Sequence, residues 1–149
     1  MRPEYLQAIL GPDGCIRKAL DDEGETVVLR VAGQCMAPFI SNRSEVRLER
    51  PKLYIPGDVV GFYCPYQRRL LVHRFLGYAW RRGKWHLMTM ADHGARPDAL
   101  VNASCVIGKI AVQGEKACRV SPVQRLWAIH RYTIWCMRHI ARQLMPKRR

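Results

Sequence analysis

The chain has 149 residues, of which 48% are hydrophobic and 25% are charged. This length is enough for one ordinary domain with a buried core, and the composition excludes a low-complexity or repeat protein. Lysine and arginine outnumber aspartate and glutamate by 25 to 12, which gives a formal net charge of +13. Such a charge favours an anionic partner (nucleic acid, an acidic membrane face or an acidic peptide) without choosing among them.

The cysteine pattern and the N-terminus bear on the cellular compartment. No two of the six cysteines form a C-x-x-C pair, so we expect no structural zinc site. The N-terminus lacks the apolar stretch of a signal peptide, and no run reaches the roughly 18 apolar residues of a membrane-spanning helix. We therefore expect reduced thiols in the cytoplasm, with disulfide pairing as the less favoured alternative.

Residues 1–25 are predicted to be an N-terminal segment of mixed character. Short helical stretches at Pro3–Leu10 and Ile16–Leu20 are separated by Gly11-Pro12-Asp13-Gly14, and an acidic turn follows them. This segment is too short for a helix-turn-helix DNA-binding domain.

Residues 26–113 are predicted to form a β core. Short runs rich in valine, isoleucine, leucine and aromatic residues alternate with turns that contain glycine, proline, asparagine or aspartate. This spacing predicts a mainly β fold, a coiled antiparallel sheet or a partial barrel. The candidate strands are Thr26–Ala32, Glu45–Glu49, Asp58–Cys64, Arg69–Leu76, Lys84–Met90 and Cys105–Val112.

Residues 114–149 are predicted to be a link, a basic amphipathic C-terminal helix over Pro122–Leu144, and a basic tail. Ser121 is the expected N-cap, with proline at the first helical position. We expect the apolar stripe of this helix to pack on the sheet or on a partner; contact with an anionic membrane surface is the second interpretation and nucleic acid the third. The stripe consists of Leu126, Ile129, Thr133, Met137, Ile140 and Leu144.

One cysteine, one histidine and two aspartates form a candidate catalytic set. Cys35 lies in a turn directly after the first strand, His73 lies inside a strand, and Asp92 and Asp98 flank a polar loop. Cysteine peptidase chemistry needs a thiolate, a histidine that shares its proton, and a group that orients the ring. The structural alternative is a buried thiol and a core histidine, and spacing alone favours that alternative.

The segment Gly33–Pro38 reads Gly-Gln-Cys-Met-Ala-Pro, and Pro56–Val60 reads Pro-Gly-Asp-Val-Val. With these motifs, residues 27–112 resemble the catalytic core shared by type I signal peptidases and LexA-like self-cleaving repressors. In that family a nucleophilic serine is followed by methionine, and a Gly-Asp motif precedes a core strand. The resemblance implies that Cys35 replaces the serine, with Met36 as the methionine that follows it.

The general base of the family is a lysine or, in archaeal and endoplasmic-reticulum signal peptidases, a histidine. The segment Leu71–Phe75 is similar to the histidine version and implies that His73 is the base. The family's later polar loop is matched by residues 91–98, which implies Asp98 as the completing aspartate, with Asp92 as the alternative. The segment Val106–Ile110 is similar to the closing strand.

This sequence departs from the family pattern at several positions. Ala91 replaces a glycine of the loop motif, and Gly33 lacks the hydroxyl that assists the oxyanion in many signal peptidases. An oxyanion hole would then depend on backbone N–H groups, in the first place that of Cys35. The membrane anchor of the peptidases and the DNA-binding domain of the repressors are not recognised in this sequence.

From these patterns we expect a peptidase that removes a leader or propeptide by limited proteolysis, with Cys35, His73 and Asp98 as its triad. His93 is a rival base or a cleft residue, and His86 is expected to be structural. The alternatives are a LexA-like module that cleaves itself and a non-catalytic basic interaction domain. We expect no metal or cofactor, a peptide or protein substrate, and a cytoplasmic location, peripheral on the inner membrane face in one interpretation.

Overall fold

The computed structural model describes residues 27–31, 34–64, 66–67, 69–114 and 116–144. In this part of the chain, eight strands form one antiparallel sheet, and a single α-helix follows them. The predicted mainly β fold with a C-terminal helix is confirmed. The strands are β1 Val27–Arg30, β2 Glu45–Glu49, β3 Val59–Cys64, β4 Arg69–Arg81, β5 Lys84–Met90, β6 Val101–Asn102, β7 Val106–Gln113 and β8 Lys116–Ala117, and helix α1 is Pro122–Leu144.

The order of the strands across the sheet is β1-β2-β7-β3-β4-β5-β6, and β8 pairs with β7 beside this path. The sheet is open, because β1 and β6 stand at opposite ends of the path within the described chain. The predicted bounds of β2, β5 and α1 are confirmed residue for residue. The sequence pattern missed β6 and β8, since two residues are too few to show an alternation.

The sheet buries side chains on both faces. Strand β4 alternates, so Val72 and Arg74 point to one face while His73 and Phe75 point to the other. Val72 belongs to a core cluster that also includes Met36 and residues of β2, β3 and β7. Phe75 belongs to a second core cluster with residues of β3, β5, β6 and β7. The two faces of β4 therefore pack into two different core clusters.

Helix α1 packs across β4 and β5 through a third core cluster. This cluster joins Ala128 of the helix to Leu76, Met88 and Met90 of the sheet. The close approach depends on Gly77, where an added Cβ would lie 2.6 Å from the Tyr132 ring. The sheet-facing residues of the helix are therefore Ala128 and its aromatic neighbours Trp127, Tyr132 and Trp135.

The N-terminus of α1 is capped as predicted. The Ser121 hydroxyl accepts a hydrogen bond from the Gln124 N–H at 3.2 Å, and the Gln124 side chain accepts one from the Ser121 N–H at 2.9 Å. This reciprocal pair satisfies two donors that an uncapped helix would leave without partners.

The expectation that the apolar stripe of α1 packs on the sheet is wrong, whereas its docking on a partner stays a prediction. The side chains of Leu126 and Met137 are 66% and 65% exposed, and Ile129 and Ile140 are also exposed. The reason is that another side of the helix packs on the sheet, where Tyr132 lies over Gly77 and Ala128 packs with Leu76, Met88 and Met90. The larger aliphatic side chains are consequently left on the outer side of the helix.

No helix in the described part of the chain is long and apolar enough to cross a membrane. The predicted helical stretches of residues 1–25 lie outside the described residues. None of the described cysteines is in a disulfide bond, namely Cys35, Cys64, Cys105, Cys118 and Cys136.

Candidate active site

The first part of the candidate site is a hydrogen-bonded pair of His73 and Asp98. His73 Nδ1 lies 2.6 Å from Asp98 Oδ2, and both side chains are largely shielded from solvent. Because an ionised carboxylate only accepts hydrogen bonds, Nδ1 carries a proton and donates it. In the neutral imidazole this leaves Nε2 as a proton acceptor, the state that a general base requires.

Asp98 is itself held from two directions by Thr89 of β5. The Thr89 hydroxyl donates to Asp98 Oδ2 at 2.8 Å, and the Asp98 N–H donates to the Thr89 carbonyl at 2.8 Å. On the other side, the ring of Phe62 meets the His73 ring edge to face, with their centroids 5.9 Å apart. The carboxylate and the imidazole are thus both restricted in orientation before any substrate binds.

The second part is the turn that carries Cys35. The Ile40 N–H donates to the Met36 carbonyl at 2.9 Å, and the side chains of both residues are fully buried in the first core cluster. These two anchors hold the turn on the sheet and leave the Cys35 side chain half-buried between them and solvent. Within the described residues, the backbone N–H groups of Cys35 and Met36 donate no hydrogen bond. These two N–H groups are the candidate oxyanion donors.

The loop of residues 91–98 connects the two parts. The His93 N–H donates to the Cys35 carbonyl at 3.3 Å, so the beginning of this loop contacts the cysteine turn. Its end supplies Asp98 to His73. One short loop therefore contacts the backbone of the candidate nucleophile and orients the candidate base.

A buried arginine holds this loop in place. Arg74 is 1% exposed, and its Nε and one terminal nitrogen each donate to a carboxylate oxygen of Asp92 at 2.6 Å. Its other terminal nitrogen donates to the Gly57 carbonyl at 2.8 Å. The guanidinium also lies 4.8 Å from the centre of the Phe39 ring, in the cysteine turn. Asp92 is engaged by Arg74, while His73 is paired with Asp98.

The geometry leaves one element of the predicted triad unformed. In the described part of the chain, Cys35 Sγ makes no hydrogen bond to either ring nitrogen of His73. Cys35 packs against the core cluster on the Val72 side, whereas His73 points to the opposite face. The Cys35–His73 pair therefore stays a prediction.

In the described part of the chain, the edge of β4 near His73 has a partner strand on one side only. Strand β5 begins to pair with β4 at Arg74, whereas residues 69–73 pair with β3. A cavity of about 420 Å³ adjoins this edge on the His73 side. Its walls include Phe62 and Leu71 on one side and Asp98 and Leu100 on the other. An extended chain beside this edge would have both main-chain partners and a largely apolar pocket.

The other two candidate histidines, His86 and His93, have partners of their own near the site. His86 Nδ1 lies 3.0 Å from the Lys84 carbonyl, and its side chain borders the cavity. His93 is exposed, and only its backbone contacts the cysteine turn. Sequence reasoning missed Arg74 and Thr89. The signal for both was a polar residue in the middle of an apolar strand, which must find a buried partner.

No protein-family model matches this chain, and no curated protein matches it either. The likeness to signal peptidases and LexA-like repressors therefore depends on the motifs described above, and it stays a prediction.

We predict that Arg74→Gln lowers the free energy of unfolding by about 3 kcal/mol, because it leaves a carboxylate in a largely buried position without its cation. The double variant Arg74→Gln with Asp92→Asn should lose less free energy of unfolding than the two single variants lose in sum, since both changes remove the same ion pair. Urea denaturation followed by circular dichroism measures these differences.

The matched control is Arg47→Gln, which removes an arginine from an exposed position of β2. It should change the free energy of unfolding by less than about 0.5 kcal/mol. An Arg74→Gln variant as stable as this control would contradict the role of the Arg74–Asp92 ion pair (the Arg74 clamp) in holding the 91–98 loop.

Proposed function

We propose that the protein is a peptidase that cuts a peptide or protein precursor at a limited site, by a Cys35–His73–Asp98 mechanism. The observation that supports this best is the 2.6 Å contact between His73 Nδ1 and Asp98, with Asp98 fixed by Thr89. A histidine held in this tautomer beside an open strand edge has the arrangement that a general base needs.

In the proposed reaction, His73 Nε2 takes the proton of the Cys35 thiol. The thiolate then attacks the scissile carbonyl carbon, and the N–H groups of Cys35 and Met36 donate to the oxyanion. The protonated imidazole gives its proton to the leaving amine as the C–N bond breaks, which leaves a thioester. Water, deprotonated by His73, hydrolyses the thioester and restores the thiol.

The substrate would lie extended along the free edge of β4 at residues 69–73. Main-chain hydrogen bonds to a strand edge position a peptide without requiring a particular sequence. The cavity beside Leu71 and Phe62 would then take an apolar side chain of the substrate, since these residues form part of its wall. Removal of a leader or propeptide fits such a site.

The first prediction for this function concerns peptide cleavage. Cys35→Ala should abolish cleavage of a mixed peptide library analysed by mass spectrometry, because the nucleophile is lost. Asp98→Asn should slow it at least about a hundredfold, since His73 loses the carboxylate that sets its tautomer. Cys118→Ala, which removes another half-buried thiol, should leave cleavage unchanged.

The same samples separate cleavage in trans from self-cleavage. A LexA-like module would convert the full chain to a shorter fragment on standing at alkaline pH, at a rate independent of protein concentration, and would leave the library intact. Library cleavage that continues at full rate in Cys35→Ala would show that Cys35 is not the nucleophile.

The second prediction separates an enzyme from a non-catalytic interaction domain. Cys35 should react with iodoacetamide at about pH 6.5 roughly tenfold faster than Cys118, because the His73 imidazole stabilises the thiolate in the proposed mechanism. Burial raises the pKa of the Cys118 thiol, which makes Cys118 a slow internal reference. Peptide mapping by mass spectrometry gives both rates from one sample.

Replacement of His73 by glutamine should bring the Cys35 rate down to that of an ordinary thiol. Equal rates for Cys35 and Cys118 in the unmodified protein would favour the interaction domain instead.

We further propose that the outer side of α1 contacts an anionic membrane surface, which would place the protein in the cytoplasm at the inner membrane face. The aliphatic side chains at Leu126, Ile129, Met137 and Ile140 are exposed along one side of the helix. A convex apolar face suits a fluid, planar partner, and the net charge of +13 favours an anionic partner over a second copy of the chain.

The third prediction is that the protein co-sediments with vesicles of phosphatidylglycerol and phosphatidylcholine and not with phosphatidylcholine alone. Met137→Gln with Ile140→Gln should reduce binding at least about tenfold, since the apolar contact is lost. Leu53→Gln removes a leucine that is equally exposed, at 65%, from a loop outside the helix and should have no effect. An equal loss in both variants, or dimer formation through the helix face, would contradict the proposal.

A further inference from the structure

A second cavity, of about 400 Å³, lies between the 91–98 loop and the C-terminal half of α1. The loop and the helix both contribute to its walls, and neither Cys35 nor His73 does. The lining residues are Arg96, Pro97, Trp135, Arg138, His139 and Arg142.

The spacing of the helical residues explains why they converge. Positions 135, 138, 139 and 142 follow the i, i+3, i+4, i+7 pattern and so share one side of α1. The rings of Trp135 and His139 are stacked, with centroids 5.0 Å apart and an angle of 5° between their planes. This pair gives the cavity a flat aromatic wall, and the arginines stand around it.

The three arginines have no carboxylate partner among the described residues. Most of the carboxylates in that part of the chain are bound elsewhere: Asp58 to Arg125, Asp92 to Arg74, Asp98 to His73 and Glu49 to Lys109. None of the described residues that line the cavity is acidic. Three guanidinium groups around one cavity repel one another, and an anion between them would relieve that repulsion.

We propose that this cavity is a binding site for a phosphate group, held by Arg96, Arg138 and Arg142. The guanidinium group is planar and presents a fork of N–H donors that matches phosphate oxygens in pairs. The cavity is larger than a single phosphate requires, and its aromatic wall accommodates an organic remainder. The ligand is therefore a phosphate ester, either a soluble one or a lipid headgroup.

The position of the site gives binding a structural consequence. Arg96 and Pro97 directly precede Asp98, so a phosphate that joins Arg96 to the helix also restrains the residue that orients His73. Binding itself does not depend on the proposed peptidase activity. The test is therefore made on the Cys35→Ala chain, where a failure of the peptidase proposal leaves the result unaffected.

The experiment is a titration of the full Cys35→Ala chain with glycerol 3-phosphate at constant ionic strength, followed by calorimetry. Saturable binding is expected, and Arg138→Gln and Arg142→Gln should each weaken it about tenfold, the loss of one charge-assisted contact. Arg47→Gln removes the same charge from an exposed position on β2 and should leave the affinity unchanged.

A parallel arm with phosphatidylglycerol vesicles identifies the source of the phosphate. Binding of glycerol 3-phosphate in solution supports a soluble ester. Vesicle binding that falls in Arg138→Gln, without binding of the soluble ester, supports a lipid headgroup. The proposal is overturned if neither probe binds, or if Arg47→Gln weakens binding as much as Arg138→Gln, since binding would then reflect only the overall charge of the chain.

Discussion

The burial of one guanidinium group organises the region around the candidate site. Arg74 lies in the middle of the sheet at 1% exposure, where an unpaired charge would be strongly unfavourable. Each of its three guanidinium nitrogens donates a hydrogen bond, two of them to Asp92 and one to the Gly57 carbonyl. The turn before β3, the loop after β5 and the Phe39 ring of the cysteine turn are thereby brought against the same strand.

Arg74 and the candidate base His73 are adjacent in sequence. Because side chains alternate along β4, they lie on opposite faces of the strand and have different surroundings. Arg74 points to one face and fixes the beginning of the 91–98 loop, whereas His73 points to the other and receives Asp98 from the end of the same loop. Because the loop is fixed at both ends, the Asp98 carboxylate has little conformational freedom. A carboxylate must be restrained in this way to orient an imidazole. The clamp thus supports the His73–Asp98 pair through the backbone, without contacting it.

In helix α1, close packing of one side on the sheet determines which side chains the other sides expose. Gly77 and Ala128 allow the helix to approach the sheet, and Tyr132 covers the glycine. The large aliphatic residues and the arginines are then left outside, on different sides of the helix. The first set presents an apolar surface, and the second forms the walls of a cationic cavity with Arg96.

Local patterns in the sequence were sufficient for the mainly β class and for the bounds of β2, β5 and α1, whereas the pairing of His73 with Asp98 was expected only from the family resemblance. Period-two and period-3.6 alternation and capping chemistry act over a few residues, so a sequence displays them directly. Which face of α1 meets the sheet, the pairing of Arg74 with Asp92, and the side of β4 on which Cys35 lies were decided by tertiary structure. These depend on contacts between segments far apart in the chain, such as Gly77 with Tyr132, where the space available at one surface selects the partner.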